Sequence, residues 1–80
     1  MKAAILGISG YTGMVLLRLL SEHPDVDEII PVSSSKAGDK ILSADPGIGK
    51  AVMEKTAASD GCMVDMAHAV KRKPDVVLAA

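Results

Sequence analysis

The chain has 80 residues, 49% apolar and 24% charged, and Tyr11 is its one aromatic residue. This is enough for one small domain with a thin core and too little for a complete two-domain enzyme. Nine basic against ten acidic residues leave a net charge of −1; with so few rings for base stacking, the composition gives no case for a nucleic-acid partner.

Residues 2–8, KAAILGI, form a short apolar run of the kind that suits a strand buried on both faces of a parallel sheet. From Thr12 to Glu22 the pattern turns helical, with Val15, Leu16, Leu19 and Leu20 expected on one stripe and Pro24 as the stop. Met14 and Leu17 fall off that stripe, so the helix is apolar on most sides and is expected either to be deeply buried or to face a domain outside this chain. Residues 28–33, EIIPVS, read as a second strand. Because Pro31 has no donor for a central ladder, a bulge or a strand paired on one side is expected there.

Residues 34–50, with Gly38, Pro46, Gly47 and Gly49, read as a long and functional loop, and residues 51–57 fit a short strand or a helical turn. A second long helix is expected from a Ser59 or Asp60 cap to Arg72, with Met63, Met66, Ala67 and Val70 on its buried stripe. On that helix Cys62 and His68 are six residues apart, about 120° off a common face, so direct pairing is not expected. Cys62 therefore reads as a small apolar packing residue. His68 and Asp65 read as a solvated pair, and Lys71, Arg72 and Lys73 as cations at a helix carboxyl end. Neither His23 nor His68 has a second ligand at metal spacing. The closing DVVLAA is expected to be a buried strand. The order β-α-β-(β or loop)-α-β specifies an α/β fold of Rossmann type, a parallel sheet with right-handed crossovers, here truncated. Ending without a cap at the edge where such sheets bind ligands, the chain is expected to be the N-terminal piece of a longer protein.

One cysteine cannot close an intrachain disulfide and suits a reducing cytoplasm. The opening MKAAILGISG is too short for a secretory leader, and no apolar run approaches the ~18 residues of a membrane span. A cytoplasmic protein with no membrane partner is expected.

The chemistry is concentrated in Gly7-Ile-Ser-Gly10-Tyr-Thr-Gly13, between the first strand and the first helix. Gly7 lets the chain leave the strand in a conformation closed to side chains. Gly10 removes the β-carbon where a pyrophosphate approaches the backbone, and Gly13 permits close helix–sheet packing. The amides of Tyr11, Thr12 and Gly13 then point at phosphate from the positive end of the helix, with Ser9 and Thr12 as added hydroxyl donors. The spacing GxxGxxG is one residue longer than the GxGxxG fingerprint, and its strand–turn–helix setting carries the reading. A plain tight turn is the alternative.

Twenty residues past Gly13 lies Ser33, where an NAD-selective site usually holds a carboxylate. None occurs between Glu28 and Asp39. Ser33, Ser34, Ser35 and Lys36 instead suit a 2′-phosphate, which favours NADP over NAD as cofactor; the alternative is a serine-rich loop with a solvated lysine.

ILGISGYTGMVLLRLLSEHPDV, the Ser33–Ser35 run with Ala37-Gly38, and the closing PDVVLAA together resemble the start of the N-acetyl-γ-glutamyl-phosphate reductases of the semialdehyde dehydrogenase family. The GYTG turn and the LLRLLxxHP helix look closer to these than to aspartate-semialdehyde dehydrogenases. The resemblance covers residues 1–38 well, 75–80 moderately and the middle poorly. It implies an NADP-binding Rossmann segment of a homo-oligomeric enzyme of arginine biosynthesis, which reduces an acyl phosphate to a semialdehyde through a cysteine thioester. The nucleophilic cysteine, the histidine and the substrate-binding basic residues of the family then lie beyond residue 80, in a catalytic domain that would partner this one. Ile8-Ser9 replaces the Ala-Thr usual in the family's turn. Ser34 stands where an arginine is common, which leaves the 2′-phosphate to Lys36. Alternative readings are an aspartate-semialdehyde dehydrogenase, a saccharopine-reductase-like oxidoreductase, and a non-catalytic dinucleotide-binding regulatory module.

Overall fold

The computed structural model describes residues 1–44, 47 and 49–80; Pro46 of the predicted loop lies outside them. The elements are β1 (Lys2–Leu6), α1 (Tyr11–Ser21), β2 (Glu28–Val32), α2 (Ile41–Ala44), α3 (Lys50–Lys55), a 3-10 turn (Ala57–Ser59), α4 (Met66–Lys71) and β3 (Val76–Ala79). The three strands form a parallel sheet in the order β2-β1-β3.

Strand alternation explains the layers. Ala3, Ile5 and Ile29 face one side, where they pack with Leu17 of α1, Val52 of α3, Ile8, Val26, Ile41 and Met63. Ala4, Ile30 and Val32 face the other side and meet Ala69 of α4 and, just before that helix, Val64. Because both faces are covered, the central strand is apolar from Ala3 to Leu6, as a buried parallel strand requires.

Pro31 sits in an unbulged ladder opposite Ile5. Its carbonyl accepts from Val64, whereas the Val32 carbonyl accepts from Ile8. In a strand each residue's N and O share a side, so the missing donor of Pro31 points away from β1 and costs no bond to it. On that outer side β2 meets, among the described residues, a one-residue parallel bridge, Val32 to Val64.

Several expected faces are corrected. On α1 the buried residues are Gly13, Leu17 and Ser21, with Met14, Leu16 and Leu20 at the flanks, while Val15 and Leu19 are exposed. Gly13 decides this: a β-carbon there would lie 2.3 Å from the Gly7 carbonyl oxygen, so this face is pressed against the turn. Residues one turn on follow it inward, and Val15 and Leu19, two positions away and about 200° around, face out. The helix is thus half-buried rather than deeply buried.

The predicted helix from residues 59 or 60 to 72 is also shorter. Asp60 and Gly61 are left-handed, at φ 58° and 70°, which ends helical propagation. Residues 62–64 run extended instead, bridging Lys40 and Val32, and Asp65 caps α4 by accepting the amide of His68 at 2.8 Å. Met63 is therefore buried from an extended segment; of α4 only Ala69 is buried, while Met66, Ala67 and Val70 are exposed. Asp65 acts as a cap rather than as a partner of the His68 ring.

Residues 50–55 are helical, which resolves the strand-or-helix alternative, and residues 38–41 of the predicted loop are tied to 61–63 by backbone bonds. The edge strand β3 alternates half-buried and exposed residues instead of being buried throughout. Arg72 caps the carboxyl end of α4, where a cation was expected, and there it lies 2.5 Å from the Glu28 carboxylate, while Lys2 donates to its carbonyl.

Candidate functional site

The site begins where β1 ends. Gly7 takes φ +76°, the left-handed conformation that turns the chain off the strand. Its carbonyl accepts from Gly10 at 3.1 Å, and the Ile8 amide donates to Val32 at 3.0 Å, which anchors the turn to β2. Ala80, just past β3, donates to the Leu6 carbonyl and borders Gly7 from the other side. The turn is therefore held between the carboxyl ends of all three strands.

Gly10 is the N-cap of α1, with extended backbone and no side-chain cap bond. The first amide bonded back is that of Met14, to Gly10. The amides of Tyr11, Thr12 and Gly13 have no carbonyl behind them in the helix, and with the helix dipole they form a positive mouth. A β-carbon on Gly10 would touch only the Gly7 oxygen, at an ordinary 3.5 Å, so the fold does not itself require glycine there. Gly10 leaves open the space in front of these amides. Thr12 is exposed, and Tyr11 is 87% exposed at the same mouth.

Beside this helix start lies a pocket of about 210 Å³, lined by Leu6, Gly7, Ser9, Val32, Ser33, Ser34, Ser35 and Met66. Ser33 is buried; its amide donates to Val64, and its hydroxyl approaches Ser9 Oγ at 3.4 Å and accepts the Lys36 amide at 3.1 Å. Ser33 thus shapes the loop, while Ser34, Ser35 and Lys36 are exposed. Of the residues singled out in the sequence, Gly7, Ser9, Ser33, Ser34 and Ser35 line the pocket. Gly10–Gly13 follow Ser9 along the chain into the start of α1, and Lys36 follows Ser35; neither is part of the lining. The lining carries no formal charge, so an anion there meets hydroxyls and the helix mouth without a carboxylate to repel it.

Leu6, Val32 and Met66 were not anticipated as site residues. The first two are the last residues of their strands, a position that identifies them once the strands are drawn. Met66 carries no such signal, because the Val32–Val64 bridge brings it in. Cys62 is half-buried on an extended segment and lines, with Asp65 and His68, a separate open depression. Among the described residues no three His, Cys, Asp or Glu side chains group to hold a metal, and no helix is long and apolar enough to cross a membrane.

A parallel sheet with a glycine turn at the carboxyl end of its central strand, leading into an open helix start, defines a Rossmann-type dinucleotide-binding domain. Residues 2–46, more than half of the chain, match the family model described as semialdehyde dehydrogenase, NAD binding domain, and the chain belongs to that family. It is similar to proteins named N-acetyl-gamma-glutamyl-phosphate reductase. The relative from Halalkalibacterium halodurans is 58% identical over 38 residues, 48% of this chain and 11% of that protein. Those from Neisseria gonorrhoeae and Phocaeicola vulgatus are 47% and 51% identical over 47 residues, 59% of this chain and 14% and 15% of theirs. The matched stretch thus spans under a sixth of each relative's length. No solved structure matches the chain.

Proposed function

We propose that this chain is the NADP-binding portion of an oxidoreductase that reduces an acyl phosphate, N-acetyl-glutamyl phosphate, to its semialdehyde in arginine biosynthesis. The observation that carries the cofactor half of the reading is the convergence of the glycine turn and the serine loop on one uncharged pocket beside the open amides of α1. In this reading Tyr11, Thr12 and Gly13 bind the pyrophosphate through their amides, Gly10 admits it, and Ser9 and Thr12 add hydroxyl donors. Ser33 supports the loop, Ser34 and Ser35 reach the ribose end, and the Lys36 ammonium balances a 2′-phosphate. When bound, the nicotinamide supplies hydride. The names of the relatives support the acyl-phosphate substrate, and the residues for acyl chemistry belong to a further domain of a homo-oligomeric, cytoplasmic parent enzyme.

Titration of the chain with NADPH, followed by amide NMR, tests the cofactor reading. Shifts at Gly10, Tyr11, Thr12 and Gly13 are expected; their absence at millimolar NADPH would overturn it. The substrate is tested on the parent enzyme by NADPH oxidation with N-acetyl-glutamyl phosphate against aspartyl phosphate, and a preference for the latter would refute it.

A further inference from the structure

Leu6, Val32 and Met66 form the apolar side of the 210 Å³ pocket, opposite Ser9 and the serine loop. Pockets that take a whole drug-sized ligand measure about 300–1,000 Å³, so this pocket receives one part of a dinucleotide. Charged parts are excluded from its apolar side by desolvation, and they have better partners at the helix mouth and at Lys36. What remains is a flat ring. The neighbouring serine loop marks the adenosine half.

Met66 is suited to that contact. It is about half exposed although it is a large apolar residue, and with Leu6 it also lines a second, almost wholly apolar groove between α4 and β3. It stands as the partition between the two, without a core that fixes its rotamer. A flexible thioether packs favourably on an aromatic ring. Its backbone is nevertheless placed: Asp65 caps α4 one residue earlier, and Val64 is bonded to Pro31 and Ser33. Met66 also lies outside residues 2–46, so the family match does not assign it.

We propose that Met66 is a further cofactor-binding residue, its side chain forming the wall against which the adenine ring of the bound dinucleotide packs. This rests on the cofactor reading above. The test follows the Met66 methyl group by NMR in the 80-residue chain, assigned as the methionine signal lost in Met66→Leu. NADPH and adenosine monophosphate are expected to move it, and nicotinamide mononucleotide to leave it in place. Met66→Ala is expected to weaken NADPH about three- to tenfold, and Met66→Leu by no more than about twofold. If NADPH moves the Gly10–Gly13 amides but not this methyl, or if nicotinamide mononucleotide alone moves it, the Met66 assignment is overturned and the cofactor reading stands. Wild-type affinity in Met66→Ala has the same meaning. If NADPH moves neither set of signals, the cofactor reading itself fails and takes this assignment with it.

Discussion

Gly10 and Gly13 lie three residues apart in one turn, and the structure separates their roles. At Gly13 an added β-carbon would lie 2.3 Å from the Gly7 carbonyl oxygen and 2.8 Å from Ile8 Cα. Both are backbone atoms, so no rotamer change relieves the contact and α1 must move off the sheet. Overpacking of this kind costs about 1–3 kcal/mol or more, against a total stability on the order of 4–12 kcal/mol for a domain of this length. At Gly10 the same methyl meets only an ordinary contact, with φ −81° open to any residue. Losing a glycine N-cap costs about 0.5–1 kcal/mol, and the reduced freedom of the unfolded chain returns about 0.4–1 kcal/mol. Gly13→Ala should therefore lower Tm by roughly 10–20 °C for about 2.5 kcal/mol, while Gly10→Ala melts within a few degrees of the parent. Binding should show the opposite contrast: Gly10→Ala, still folded, should bind NADPH at least about tenfold more weakly, a loss of ~1.4 kcal/mol. Thermal melts by circular dichroism and calorimetric titration read both quantities. Unchanged NADPH affinity in Gly10→Ala would refute the phosphate cradle, and an unchanged Tm in Gly13→Ala would refute the close-packing account.

Lys36→Glu should weaken NADPH more than NADH; equal losses in parallel titrations would show that Lys36 does not read the 2′-phosphate. Removing the α4 cap with Asp65→Ala should cost about 1 kcal/mol, measured by urea denaturation, and Asp65→Asn should restore most of it. Arg72→Met leaves the half-buried Glu28 carboxylate without its 2.5 Å partner, so it should destabilise by about 1–3 kcal/mol, and Glu28→Gln in the same background should recover part of the loss. Asp27 accepts a hydrogen bond from the Met1 ammonium at 2.6 Å, and this bond with the attendant charge attraction holds its carboxyl below the usual value of 3.8. Its contribution is therefore present above about pH 4 and is lost as pH falls through the lowered value. Asp27→Asn should flatten that part of the acid-unfolding curve, and an unchanged acid limb would contradict the pairing.

Local pattern was enough for β1, β2, α1 and the glycine turn, because each rests on neighbours in sequence: a continuous apolar run, a helical stretch stopped by Pro24, glycine where φ turns positive. The ligand end of the sheet was legible for the same reason, since it is where the strands stop. Which face of α1 is buried was not legible. Leu16 and Leu17 are equally apolar, and only the contact of Gly13 with the Gly7–Ile8 backbone selects between them. The region from Ser59 to Arg72 departs from its local pattern: its apolar residues fit a helical period, while two left-handed residues, Asp60 and Gly61, break it and an extended segment finds partners at Val32 and Lys40. Those partners lie about 20–30 residues away, and no local spacing encodes them. The same crossing brings Met66 to the pocket and Arg72 to Glu28. The nature of the ligand thus follows from a short run of sequence, whereas the wall it rests against depends on long-range pairing.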